Sequence, residues 1–186
     1  MAFLDSLVAE MEDSRIGLHD IDISKAKPTV QGINEIKGAI AEHLVREWID
    51  RCPDLEHFTG WPRNVNGYSV RELPSGIVVF EGDQTKVEYD SVVSHQGNIA
   101  LIEVKSLRLN GVEGKIENAL KIGRKIFPEA KGVGMLICFP HYSNKAADAR
   151  IIEASHTNVR CVDLGYKKKQ LMSALQTYCQ KKGLRI

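Results

Sequence analysis

The chain has 186 residues, 43% of them apolar, which suits one substantial core and predicts a single domain over 1–186. No run of about 18 apolar residues occurs, which argues against a membrane span. Met-Ala-Phe-Leu-Asp-Ser at the start lacks the basic-then-apolar pattern of an export signal, so a cytoplasmic protein is expected. The net charge of +1 hides an asymmetry. Arg108, Lys115, Lys121, Arg124, Lys125 and Lys131 follow one another closely, and Lys167, Lys168, Lys169, Lys181, Lys182 and Arg185 load the C-terminus. Such a distribution permits a nucleic-acid face without requiring one.

Residues 1–12 read as a short amphipathic helix and 13–31 as a polar connection containing Pro28. Ile33, Ile36, Ile40, Leu44 and Trp48 have helical spacing, and that helix should stop near Cys52, ahead of Pro53. Asn66-Gly67 and Glu81-Gly82-Asp83 are turn signals. Segments 68–73, 77–80, 87–93 and 99–105 are rich in β-branched or aromatic residues and read as strands, with 94–98 as the hairpin tip joining the last two. Next come a helix over 112–127, a strand over 133–139, a helix over 146–154, a strand over 159–164 and a helix over 168–179. Strands alternating with helices predict an α/β fold, a mixed sheet covered on both faces. The expected order is an αβββαβ core, over roughly 33–140, with a C-terminal αβα extension over 141–186.

Chemistry concentrates in the hairpin that runs from Lys86 to Lys105. A two-residue turn at Gln96-Gly97 sets His95 across from Asn98, and counting back sets Asp90 across from Glu103. Directly opposed residues share a sheet face, and Lys105, two residues from Glu103, shares it too. Like charges opposed on a ladder are destabilising, and partly buried carboxylates need a partner. A hard divalent cation, Mg²⁺ or Mn²⁺, supplies one and keeps water for chemistry. The lysine adds a charge to orient an attacking water or stabilise a developing phosphorane.

Glu-x-Lys tripeptides recur along the chain, among them Glu35-Ile-Lys37, Glu103-Val-Lys105 and Glu113-Gly-Lys115. The tripeptide is therefore weak evidence by itself. Only the middle one ends an apolar strand with an aspartate facing it; the others read as solvated helix charges, and the alternative for the trio itself is a surface ion pair.

Asp90-Ser-Val-Val-Ser…Gly97…Ile102-Glu103-Val-Lys105 resembles the core motif of the PD-(D/E)xK nuclease superfamily, and is especially similar to that of nuclease-related (NERD) and Holliday-junction-resolvase-like domains. Tyr89 stands where the proline of the family name would be. Those families add an acid on the first helix in a Gly-x-x-x-Glu pattern, which Gly38-Ala-Ile-Ala-Glu42 matches, with Glu35 and Glu47 as competitors. Gly38 and Glu42 share a helix face, and the absent side chain at Gly38 would let that face approach the sheet. The resemblance implies a restriction-endonuclease-like fold, divalent-metal phosphodiesterase chemistry and a nucleic-acid substrate. Asp90, Glu103 and the carbonyl of Val104 would hold the metal, Glu42 the metal or a metal-bound water, and Lys105 would position the nucleophile.

In the helix that follows, Val112, Ile116, Ala119, Leu120, Gly123, Ile126 and Phe127 form an apolar stripe, with Lys121 and Lys125 opposite. Lys115, at the edge of the stripe and nearest the carboxylates, is a candidate phosphate contact together with Arg108 and Lys121, although a solvated lysine is the commoner outcome. Cys52, Cys138, Cys161 and Cys179 form no CxxC pair and are expected as reduced core thiols, too scattered for one iron–sulfur cluster. The six histidines have no HxxxH spacing, and neither His43 nor His95 is given a role. No GxGxxG, Walker or GxSxG pattern is present, so nucleotide hydrolases and serine esterases have no support. The expectation is a Mg²⁺- or Mn²⁺-dependent DNA endonuclease, with RNA open as a substrate and a homodimer compatible with cutting two strands. The alternatives are a non-catalytic nucleic-acid-binding module of the same fold and an α/β protein-interaction domain.

Overall fold

The computed structural model describes residues 2–28, 32–105, 113–141 and 146–184. Helix α1 (Ala2–Asp13) buries Leu4, Leu7 and Met11, the 3–4 spacing of a one-faced helix. Two short 3-10 turns follow, Leu18–Asp20 and Ile23–Lys25, the second capped by Asp22, which accepts from the backbone N–H of Ser24. Helix α2 (Ile33–Ile49) buries Ile36, Ile40, Leu44 and Trp48. Ile33, expected in that stripe, is exposed in the first turn. The helix ends before Cys52-Pro53, as the proline requires.

Seven strands precede the next helix, more than the sequence suggested: β1 (Glu56–His57), β2 (Arg63–Val65), β3 (Tyr68–Leu73), β4 (Gly76–Glu81), β5 (Gln84–Tyr89), β6 (Ser91–His95) and β7 (Asn98–Val104). Then come α3 (Glu113–Ile126), β8 (Val133–Phe139), α4 (Ala146–Ser155), β9 (Val159–Asp163) and α5 (Lys168–Lys181). The strands form two sheets. A mixed five-stranded sheet has the order β1-β6-β7-β8-β9, antiparallel from β1 to β7 and parallel from β7 to β9. A separate antiparallel meander has the order β2-β3-β4-β5. Two of its turns are those the sequence signals mark, Asn66-Gly67, with φ of 49° and 81°, and the turn containing Gly82, with φ of 59°; the turn at Pro74-Ser75 is not among them.

The α/β class, the mixed sheet and the flanking helices are therefore as expected. The single strand expected over 87–93 is not. It is two strands in two sheets, with Asp90 between them: Tyr89 pairs with Ile77 in the meander, and Ser91 pairs with Ile102 in the mixed sheet. No glycine or proline marks this change, because packing causes it. Tyr89 is fully buried against α3, where its hydroxyl donates to the carbonyl of Ala119 at 2.8 Å.

Two apolar clusters lie on opposite faces of the five-stranded sheet. Ala100, Ile102, Leu136 and Cys138 turn toward α1, α2 and α5. Ile99, Leu101, Met135 and Ile137 turn toward α3, α4 and the inner face of the meander. This alternation along β7 fixes the faces of the polar residues that end it. Helix α3 approaches β7 closely at Gly123, where an added Cβ would stand 2.6 Å from Leu101 Cδ1. Among the described residues no helix is long and apolar enough to cross a membrane.

Candidate active site

The hairpin of β6 and β7 turns at Gln96-Gly97, with φ of 51° and 81°, the doubly positive pair of a type I′ turn. His95 pairs with Asn98 and Ser91 with Ile102, which is the register counted from the sequence. The paired ladder ends there, one residue short of Asp90 and of Glu103. Asp90 is tied there at both ends: its N–H donates to the Ile102 carbonyl at 3.0 Å, and its Oδ2 accepts from the Val104 N–H at 2.5 Å. Lys105 forms an ion pair with Glu103 Oε1. Both of those side chains are half-buried, 25% and 17% exposed.

Asp90, Glu103 and Lys115 line one cleft of about 350 Å³, between the end of β7 and the first turns of α3, with Lys86 and Glu88 from β5. On its other side Asp90 borders a smaller cleft of about 220 Å³ lined by Arg46, Asp50, His57 and Ser91. Burial pushes the Asp90 carboxyl up to about 8, and the negative field of Glu103 adds to this; the Val104 N–H, which favours the charged form, offsets only part. Burial likewise raises the Glu42 carboxyl, with Glu88 and Glu103 adding and Arg46 and Lys105 opposing. Glu42 thus lies within the field of the same charges, reaching them from α2 on the other face of the sheet.

The structure brings Asp90, Glu103 and Lys105 near one another at the end of β7 and departs from the sequence reading around them. Gly38 does not serve as a gap toward the sheet: an added Cβ would meet only Glu42 Oε1, at an ordinary 3.9 Å. Lys115 is exposed and stands in the cleft, whereas Lys121 is exposed farther along α3 and does not line it. Arg108 lies outside the described residues. The cysteines are free, with Cys52, Cys138 and Cys179 buried and Cys161 half-buried. Among the described residues no group of three or more His, Cys, Asp and Glu side chains stands ready to hold an ion.

No family model and no curated protein matches the chain. Among solved structures it is similar to protein VC1899 from Vibrio cholerae, at 14% identity and a TM-score of 0.36, over 81% of this chain and 37% of that one. The chain thus spans little more than a third of that protein's length, and a likeness this low transfers no property.

A polar chain beside the trio has no counterpart in the sequence reading. His57 Nε2 stands 3.2 Å from Asp50 Oδ1, and His57 Nδ1 is 3.1 Å from Ser91 Oγ. A carboxylate only accepts, so Asp50 favours the proton on Nε2, and Nδ1 then accepts from the Ser91 hydroxyl. This chain ties the end of α2, the helix that carries Glu42, to the residue after Asp90. Neither spacing nor type announces it, since Asp50 and His57 meet only through the turn around Pro53.

Proposed function

We propose that this chain is a restriction-endonuclease-like domain of the PD-(D/E)xK class, a divalent-metal-dependent nuclease that hydrolyses phosphodiester bonds in DNA. The observation that carries the reading is the meeting of Asp90, Glu103 and Lys105 at the end of β7, with Asp90 at the passage between the two sheets, half-buried and in the field of a second carboxylate.

The donor set suits the ion this class uses. Asp90 is a half-buried acid whose charge is poorly compensated, which is the condition a cation relieves. Two carboxylates without a third side-chain ligand suit Mg²⁺ or Mn²⁺, which keep several waters and share their coordination with substrate phosphate. Asp90, Glu103 and the Val104 carbonyl would hold the ion, which when bound polarises the phosphoryl group and acidifies water. The chain's own groups do the remaining work. Glu42 orients water from the α2 side, and Lys105 positions the nucleophile and offsets charge on the phosphoryl oxygens. Lys115, across the cleft on α3, contacts a phosphate of the bound strand.

Incubation of plasmid and single-stranded DNA with the protein, with Mg²⁺ or with EDTA, tests the reading. Cleavage that needs metal and is lost in Asp90→Asn supports it; wild-type cleavage by Asp90→Asn refutes the site. A second reading, a non-catalytic nucleic-acid-binding module, draws on the Glu103–Lys105 ion pair and on the lack of a three-ligand group among the described residues. DNA binding without cleavage in either metal would favour it.

A further inference from the structure

Beside Glu42 a cleft of about 490 Å³ is lined by Lys25, Lys27, Arg46 and Lys182, with Pro74 of the β3–β4 turn also in its wall. These cations come from the second 3-10 turn and the residues after it, from α2 and from the cap of α5. They belong to segments far apart in sequence and meet only in the fold. Ion pairs hold Arg63 to Glu129, Lys86 to Glu81, Lys105 to Glu103, Arg160 to Asp5, and Lys181, next to Lys182, to Asp22. Among the described residues none of the cations in this cleft has an ion-pair partner, and Glu42 is the one acid that lines it. Like charges gathered around a concave surface repel one another, and an anion that enters it relieves this. Among the described residues no Phe, Tyr or Trp lines the cleft and His43 is its one ring, so the surface offers charge for phosphate more than a stacking platform for bases.

We infer that this cleft binds the phosphodiester backbone of one DNA strand, leading it past Glu42 to the Asp90–Glu103 site. The inference rests on the nuclease reading for the direction of the strand, but not for the binding itself. The hairpin wall at Pro74 and the volume, in the range of ordinary ligand sites, suit a single strand. Binding through phosphates alone is independent of sequence and steeply dependent on salt, with a slope of about 0.7 per neutralised phosphate for single strands.

The test measures binding of a fluorescein-labelled oligodeoxythymidylate by anisotropy in EDTA, over a salt series, so that no cleavage intervenes. Lys25→Gln with Lys182→Gln removes two cleft charges and should reduce the salt slope by about 1.4 and the affinity roughly tenfold or more at 0.1 M salt. Lys168→Gln with Lys169→Gln is the control of equal charge; at the far end of α5, about 20 Å away by helical rise, it should leave both unchanged. Unchanged thermal melting verifies folding, and Lys27→Gln with Lys182→Gln replaces the first pair if it melts early. Equal losses in the cleft and control pairs, no loss in either, or no binding by the wild type would each overturn the inference. Binding that follows this pattern in a protein that never cleaves DNA would keep the cleft and remove the nuclease reading; cleavage without the pattern would do the reverse.

Discussion

The backbone N–H of Val104 donates to Asp90 Oδ2 at 2.5 Å, so the strand that carries Glu103 itself holds Asp90 in place. Because Asp90 lies between two sheets, this bond and that of its own N–H to Ile102 set the direction of its carboxyl. The other oxygen, Oδ1, has no hydrogen-bond partner among the described residues.

The first prediction concerns pH. Asp90 is raised from 3.8 to about 8, so between those limits the folded protein binds a proton that the unfolded chain has released. The contribution of Asp90 to the stability of the metal-free protein should be full below about pH 4 and be lost as pH rises toward about 8. Glu42, also raised, acts in the same direction. Asp90→Asn should flatten most of the slope and raise the melting temperature near pH 8, and Mn²⁺ should reverse the slope in the wild type. Melting curves in EDTA from pH 5 to pH 8 check this; a rising slope would contradict the buried state of Asp90.

Lys105 is argued to act on the substrate and not on the metal. Lys105→Ala should retain Mn²⁺ binding by calorimetry and lose about 10²–10³ in single-turnover cleavage, as when one preorganised donor is removed. Its ion pair with Glu103 makes the apo protein a poor comparison, so both measurements are made with metal present. Metal and structure lost together would make Lys105 a structural partner of Glu103.

Glu42→Gln should reduce the cleavage rate or metal affinity less than Asp90→Asn does, because Glu42 approaches from the far side of the sheet. Gly38→Ala, by contrast, should leave cleavage unchanged and stabilise α2 by about 0.5–1 kcal/mol, as an added Cβ meets nothing closer than 3.9 Å. A silent Glu42→Gln beside an inactive Glu47→Gln would move the role to Glu47.

Gly76 supports Asp90 from the meander. Its φ is +143°, and an added Cβ would stand 2.4 Å from the Tyr89 carbonyl. Gly76→Ala should cost at least about 1–3 kcal/mol in urea unfolding, because that backbone conformation is strained for alanine and the contact is with main chain. Mn²⁺ affinity should fall as well, since the displaced segment adjoins Asp90. A variant as stable as the wild type would show that the β4 strand can shift without disturbing the site.

Local chemistry made the hairpin legible from the chain alone. Gln96-Gly97 sets a two-residue turn, strand alternation then fixes which side chains share a face, and both act over a few residues; hence Asp90 could be set against Glu103 by counting. The helix stripe of Ile36, Ile40, Leu44 and Trp48 and the stop before Pro53 follow from equally short-range rules. What only the tertiary structure decided is what the segments pack against. The run over 87–93 is rich in β-branched and aromatic residues like one strand, and burial of Tyr89 under α3, a helix some 30 residues later, divides it into two sheets at Asp90. Glu42 meets the field of Glu103 because α2 lies across the end of β7, and Lys25, Arg46 and Lys182 converge because chain segments from both halves close on one cleft. Such contacts depend on which faces fit together after collapse, and no spacing in the sequence encodes that distance.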